Sequence, residues 1–341
     1  MKSLVSATVG MLVWLTFATA FAQSATYTFA TVDISVPGRP GSLAIPQDIN
    51  DEGLIVTNIV STTDGPEVLI ADPLKPRSRG FVTTTFRCGT LPSSDTAAYS
   101  VNFRGDVTGA CVTEPNASKI FGFIRDRNGR QVLLDVPGAD HTFAFGISAD
   151  RQVVGQYYNP RELNQSGLRR IHGFRWEDGR FDTIDFPLSD TYTSLRSVNK
   201  RGQILGDYFR FDPKTNATLE HNWFVYDSGQ FNLYFPQSLE WDGGPALLLA
   251  DMNDAGQVIG QRYNAGPGWD GLFLFDHGRS FNIAVPPDFA YSDVRGMNNK
   301  GQFVGMYLKP AGVDPYYGWQ LYEAHGYIAT PATGGVTISA R

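Results

Sequence analysis

The chain has 341 residues and a net charge of −6, with 42 % hydrophobic, 13 % aromatic and only 18 % charged residues. A chain so rich in rings and apolar side chains buries a sizeable core and is not disordered; with no Lys/Arg run able to track phosphates, it offers nucleic acid no electrostatic footprint. Its length suits one large domain or two small ones.

At the start, Lys2 precedes an apolar stretch from Val9 to Phe21, and Ala20-Phe21-Ala22 forms the small-x-small pattern of a signal-peptidase site before Gln23. Residues 1–22 are therefore expected to be a signal peptide, and the protein to be secreted or periplasmic. The stretch is short for a membrane anchor and is interrupted by Thr16 and Thr19. No later segment approaches the roughly 20 apolar residues that cross a bilayer, so no span is expected in the mature chain. Cys88 and Cys111 are the only cysteines. In an oxidising compartment they are expected to pair, and two cysteines without clustered histidines do not make a zinc site.

The organising feature is an internal repeat. One phrase recurs six times: Ile49-Asn50-Asp51-Glu52-Gly53, Val101-Asn102-Phe103-Arg104-Gly105, Ile147-Ser148-Ala149-Asp150-Arg151, Val198-Asn199-Lys200-Arg201-Gly202, Met252-Asn253-Asp254-Ala255-Gly256 and Met297-Asn298-Asn299-Lys300-Gly301. Asn and Gly both accept positive φ, so the phrase reads as a hairpin turn between two apolar, β-branched runs. The strand after it carries a second glycine, as in Val153-Val154-Gly155-Gln156-Tyr157, which marks a bulge or a close backbone approach. A second phrase, such as Gly173-Phe174 to Gly179 followed by Ile184-Asp185-Phe186-Pro187, adds two more strands around another glycine turn.

Each unit of the repeat thus reads as four strands: a, ending in Asp-x-Pro; b, ending at the Asn; c, with the Gly-x-Tyr; and d, with the Gly-Phe. Helical periodicity is nearly absent. Six four-stranded units predict an all-β fold, a β-propeller of six blades occupying residues 23–341 as a single domain, with a flexible tail after about residue 331. Residues 29–37 match strand a and His325-Gly326-Tyr327-Ile328-Ala329 matches strand d, so the first unit is expected to begin with its own strand a and the last to end with its own strand d.

The two phrases, with His172-Gly173-Phe174 and His325-Gly326-Tyr327 opening strand d, resemble the probable extracellular repeat called the HAF family. Gly replaces the Ala of that family's His-Ala-Phe triplet, and Arg79 and Phe121 stand where other copies would have the histidine. The resemblance spans about Thr28 to Ile328. It implies an exported bacterial repeat protein of propeller type, and it offers no catalytic residues to carry over.

Several constellations bear on chemistry. Asp48-Ile49-Asn50-Asp51-Glu52-Gly53 has some features of a calcium loop, but its oxygens fall out of register and no twelfth-position Glu follows, so it reads as a turn. His172, His221 and His325 all open strand d; structural hydrogen bonding between blades is the expectation, and no metal or cofactor is predicted. No Gly-x-Ser-x-Gly elbow or nucleotide-binding glycine loop is present.

In an antiparallel blade the b–c and d–a turns lie at one end and the longer a–b and c–d loops at the other, which makes the long-loop face the functional one. Its candidate ligand-binding residues are Asp140, His141, Arg161, Asp190, Trp241, Asp242, Trp269, Asp288 and Tyr317. Rings beside acids suit a polysaccharide, a cell-envelope component or a protein partner. The expected function is non-enzymatic binding through this face, with a glycan hydrolase or lyase using loop carboxylates as the alternative.

Overall fold

In a computed structural model the chain forms six antiparallel sheets of small twisted strands arranged in a ring, a six-bladed β-propeller with no helix among the described residues. The structure describes residues 23–34, 36, 42–60, 67–77, 80–88, 96–113, 119–164, 167–189, 191–212, 214–215, 217–233, 246–263 and 269–332. The segment expected to be a signal peptide, residues 1–22, and the expected tail, beyond residue 332, lie outside these.

Blade 1 is built from Leu43–Ile49, Ile55–Val60, Glu67–Arg77 and Gly80–Phe86, in that order across the sheet. Blade 2 uses Thr96–Val101, Val107–Cys111, Phe121–Arg125 and Gln131–Leu134. Blade 3 uses His141–Ile147, Val153–Tyr158, His172–Glu177 and Arg180–Thr183, and blade 4 uses Tyr192–Val198, Ile204–Phe211, Thr218–Asp227 and Gln230–Leu233. Blade 5 runs Ala246–Met252, Val258–Tyr263, Trp269–Asp276 and Arg279–Ile283. Blade 6 has a broken inner strand, Tyr291–Ser292 and Gly296–Met297, then Phe303–Val313 and Gln320–Pro331.

These boundaries correct the phase of the repeat. Every blade is b-c-d followed by the next strand a, so strand d is third from the axis and strand a is outermost. The first strand a, Tyr27–Thr31, therefore has no blade of its own. It pairs antiparallel with Gln320–Pro331 and supplies the outer strand of blade 6, closing the ring with chain from both ends. Just before it, Gln23–Ala25 pairs in parallel with Phe281–Ile283 at the outer edge of blade 5. The count of six survives because the amino-terminal strand completes the last sheet.

The apolar residues sort into six clusters, one at each blade-to-blade interface. Ile124, Leu134, Val136 and Ala139 of the second repeat face Ala144, Ile147, Val153 and Phe174 of the third, and the first and sixth blades meet through Ala44, Ile49, Leu69 and Val304. No blade has a core of its own, so the ring must close for either face of any sheet to be buried.

The repeat phrases have mechanical explanations. The glycine of strand c lies against the carbonyl of the inner strand at its bulge: a Cβ on Gly155 would stand 1.8 Å from the Phe143 oxygen and 2.9 Å from the Phe174 ring, and Gly109, Gly206, Gly260 and Gly305 are crowded in the same way. Strand c's glycine, the bulge of strand b and the ring of strand d are one packing unit. Blade 1 has Thr57 where the others have this glycine, and there the ring is replaced by Leu69.

In the Asn-x-x-Gly turn, positive φ falls on Gly53, Gly105, Gly202, Gly256 and Gly301, and on Arg151 in the third copy, but on none of the Asn residues. The Asn is selected for its amide instead. Asn50 Oδ1 accepts from the N–H groups of Glu52 and Leu54, while its Nδ2 donates to the Asn102 carbonyl of the next blade at 3.0 Å. Asn102 passes the same bond to Ser148, Asn199 to Asn253, and Asn298 back to Asn50.

Cys88, just past the outer strand of blade 1, is bonded to Cys111 at the end of blade 2's second strand, with Cα atoms 5.9 Å apart. No helix among the described residues is long and apolar enough to cross a membrane.

Candidate functional site: the axial cavity

Five of the inner strands carry a register shift, between Pro46/Asp48, Ala98/Ser100, Ala144/Gly146, Leu195/Ser197 and Leu249/Asp251. A bulge of this kind sets two consecutive residues against one partner and re-aims both side chains. Around the ring this builds two tiers. The upper one, Gln47, Tyr99, Phe145, Arg196, Ala250 and Arg295, lines a cavity of about 650 Å³ on the long-loop face. The next position along, Asp48, Ser100, Gly146, Ser197, Asp251 and Gly296, forms the lower tier, and Asp48, Ser100 and Asp251 at this waist line both this cavity and the one below. Beyond it, a second cavity of about 560 Å³ opens between the Asn turns.

The upper cavity is amphipathic. Its rings include Tyr99, Phe145, Tyr192, Phe209, Trp223 and Tyr291. Its two guanidinium groups come already paired. Arg196 Nε donates to Asp207 Oδ1 at 3.1 Å and Nη2 to the Tyr192 hydroxyl at 2.9 Å, while the group lies 5.0 Å above the Phe145 ring. Arg295 donates twice to Asp293, at 3.1 and 2.7 Å, and once to Gln47 at 3.0 Å. Asp207 is almost wholly buried, and His221 Nε2 stands 3.3 Å from its second oxygen with the imidazole stacked on Phe209 at 3.9 Å. Burial raises the hydroxyl pKa of Tyr192, and Asp207 adds to the rise. Tyr99 is raised by burial and slightly opposed by Arg196. Both phenols stay neutral hydrogen-bonding groups.

At the waist, Asp48 and Asp251 flank blade 6, whose Gly296 leaves room for the Asp48 carboxylate: a Cβ there would collide with Oδ1. Asp48 accepts from Ile49 N–H, the Ser100 hydroxyl and Val101 N–H; Asp251 accepts from the Ser197 hydroxyl, Met252 N–H and Met297 N–H. Each acid thereby ties its own blade to a neighbour. Burial, reinforced by Asp251, pushes Asp48 well above the ordinary carboxylate range, and burial lifts Asp251 to about 6. Among the described residues no three His, Cys, Asp or Glu side chains lie close enough together to hold a metal.

Of the residues proposed from sequence, Asp140, His141, Arg161, Asp288 and Tyr317 do not line the axial cavity. Asp140 and His141 begin blade 3, where His141 packs on Tyr158 at 4.6 Å. Arg161 is exposed on the loop that follows Tyr158. Asp288 is exposed near blade 6 and lies 3.8 Å from Lys309. Tyr317 is at the tip of a long hairpin, stacked on Trp319 at 5.1 Å. Trp269 begins the third strand of blade 5. Asp190, Trp241 and Asp242 lie outside the described residues. Two of the expected c–d loops are largely strand: the pairing of Ile204–Phe211 with Thr218–Asp227, and of Phe303–Val313 with Gln320–Pro331, extends the sheets outward.

The three histidines also separate. His172 bonds Asp185 at 2.6 Å and His325 bonds Asp33 at 2.9 Å, each joining the third and outer strands within one sheet rather than bridging blades. His221 is one residue out of step, because it is Asn222 that pairs with the tyrosine after the strand-c glycine, and so it faces the cavity. The cavity residues carried a sequence signal of their own. Three positions before the turn Asn or Ser, the repeat holds Gln47, Tyr99, Phe145, Arg196, Ala250 and Arg295, a varied set that is large in five of the six copies.

Neither a family model nor a curated protein matches the sequence. Solved structures do resemble the fold. The β-propeller domain of the trilobed protease from Pyrococcus furiosus is 12 % identical over 89 % of this chain and 95 % of its own, with a TM-score of 0.49. A mutant of AofleA from Arthrobotrys oligospora is 11 % identical over 92 % and 94 %, TM-score 0.48, and a gluconolactonase from Xanthomonas campestris is 13 % identical over 92 % and 99 %, TM-score 0.40. What they share with this chain is the propeller.

Proposed function

We propose that the protein is an exported binding protein that takes a saccharide into the axial cavity of its long-loop face. One observation carries the reading: a concave site of about 650 Å³ whose wall alternates aromatic rings with two Arg–Asp pairs held in fixed orientation. Rings accept the apolar faces of sugars, and oriented donors and carboxylates read hydroxyl groups. The acids at the floor support binding without turnover, because Asp48 and Asp251 direct their oxygens to backbone N–H and seryl groups of adjoining blades.

Isothermal titration with a panel of neutral and acidic oligosaccharides tests this, each recovered afterwards to confirm that it is intact. Leu248 lines the cavity and is 41 % exposed, so Leu248→Trp fills the space without removing a core contact. The expected result is binding of one glycan class by the wild type and at least a tenfold loss in Leu248→Trp. Binding untouched by the plug would overturn the assignment, and cleavage of the recovered glycan would turn it into a hydrolase.

A further inference from the structure

Blade 3 continues the cavity wall outward as a stripe of rings. Tyr99 and Phe145 meet at 5.0 Å inside the cavity, Phe145 and Phe143 lie stacked at 6.1 Å on the same face of one strand, and Phe143 reaches Tyr158 at 6.1 Å. His141 flanks Tyr158, and Arg169 covers its ring with the guanidinium carbon 4.7 Å from the centroid. None of these rings is wholly buried. Phe143 and Phe145 alternate along the strand with buried Thr142 and Ala144, so the stripe is the face that strand His141–Ile147 leaves outside the interblade core.

Charge changes along this stripe. Inside the cavity both arginines are neutralised by aspartates, whereas at the outer end Arg169 is an exposed cation, and the same loop carries the exposed Arg161. The third arginine of this loop, Arg170, is matched by Glu162 at 3.5 Å. Asp140 stands on this rim next to His141. Burial lowers the imidazole's pKa, with Asp140 opposing and Arg169 adding to that effect, and its Nδ1 has no hydrogen-bond partner. Among the described residues here, Arg161, Arg169 and Arg170 thus outweigh Asp140 and Glu162 beside an apolar track on a protein that is acidic overall.

Resting on the saccharide reading above, we infer that the ligand is an acidic glycan, an oligomer of uronic-acid type, running from the axial cavity along Phe145, Phe143 and Tyr158 with a carboxylate on Arg169 and Arg161. The aromatic steps of 5 to 6 Å have the order of the repeat of a pyranose chain, and charge-assisted pairing of guanidinium with carboxylate supplies selection against neutral chains.

The test uses the purified protein with oligogalacturonides, oligomannuronates and oligoglucuronates of two to six units, each beside its methyl ester, which keeps the backbone and removes the charge. The acids are expected to bind at least tenfold tighter than the esters, with affinity rising with length and falling with salt. The double variant Arg161→Gln/Arg169→Gln should bind acids and esters alike. Phe143→Ala should lose the length dependence while dimers bind as before; because the two arginines are exposed, their variant remains informative if Phe143→Ala fails to fold. Equal affinity for acids and esters, or a preference that survives the double variant, overturns the inference while leaving the saccharide site standing, provided Leu248→Trp still abolishes binding. Failure of every oligomer, charged or esterified, overturns both.

Discussion

Asn50, Asn102, Asn199 and Asn298 each satisfy four groups: two N–H donors inside the turn, a carbonyl on the next blade, and the side chain's own amide. Removing Asn102 leaves a buried carbonyl, one buried N–H and one partly buried N–H to find other partners. Asn102→Ala is therefore expected to cost about 1–3 kcal/mol in urea unfolding. The third copy has Ser148, whose hydroxyl accepts from Gln152 N–H but does not reach across to Asn199. Ser148→Asn should supply the missing bond and stabilise by up to about 1 kcal/mol; a loss of stability would show that the neighbouring Asn199 carbonyl is not in reach. The recurrence of Asn is plain in the sequence, but its reason is not, since a residue known to tolerate positive φ hides the cross-blade bond that only the folded ring reveals. Arg151, at φ 67°, shows that the fourth turn position keeps its backbone shape even without glycine.

The strand is the scale at which glycine, bulge and ring become inseparable. Gly155→Ala would drive a methyl into the Phe143 carbonyl, which belongs to backbone and cannot swing aside, so a loss of about 3 kcal/mol or failure to fold is expected. The same change at Gly138, with nothing within 4 Å, should cost only the strain of its positive φ, and comparing the two by thermal unfolding separates crowding from backbone strain. Strand number and type were legible because alternation and turn residues are local. The phase of the blade was not, because d–a and a–b connections look alike in one dimension; which sheet an outer strand joins is decided by a contact between Tyr27–Thr31 and Gln320–Pro331, some 300 residues apart along the chain. Deleting residues 23–31 should open blade 6 and abolish a single cooperative unfolding transition; its persistence would show that the closure strand is dispensable.

Across the whole molecule, the ring's stability should follow pH through the waist and the outer strands. Asp48 and Asp251 keep their protons to higher pH when folded than when unfolded, so the folded state binds more protons between the ordinary carboxylate range and about 6, and stability falls as pH rises through that window. His172 is raised chiefly by its bond to Asp185. Its contribution is complete below the ordinary histidine value and is lost as pH climbs through the raised one. Both act in one direction, and the thermal midpoint should decline from about pH 4.5 toward pH 8. Asp251→Asn should flatten the lower part of that decline and His172→Gln the upper; a midpoint that climbs over this range contradicts the assignment. The bond between Cys88 and Cys111 closes a separation of 23 residues and staples blade 1 to blade 2, so its reduction should lower stability by about 3 kcal/mol.

The cavity was only half legible. The cavity opens on the face that the long loops mark, yet the side chains that build it come from bulged inner strands and not from loops, because a bulge changes where Tyr99, Phe145 and Arg196 point without changing the pattern of the sequence. Hydrogen–deuterium exchange of the protein with and without a saturating acidic hexasaccharide tests that placement most directly. Slowed exchange over Thr96–Val101, His141–Ile147 and Tyr192–Val198, continuing into Val153–Tyr158 and the loop after it, is the predicted result. Protection over the Asn turns at the opposite mouth, or none along the inner strands, would contradict an axial binding site on the long-loop face.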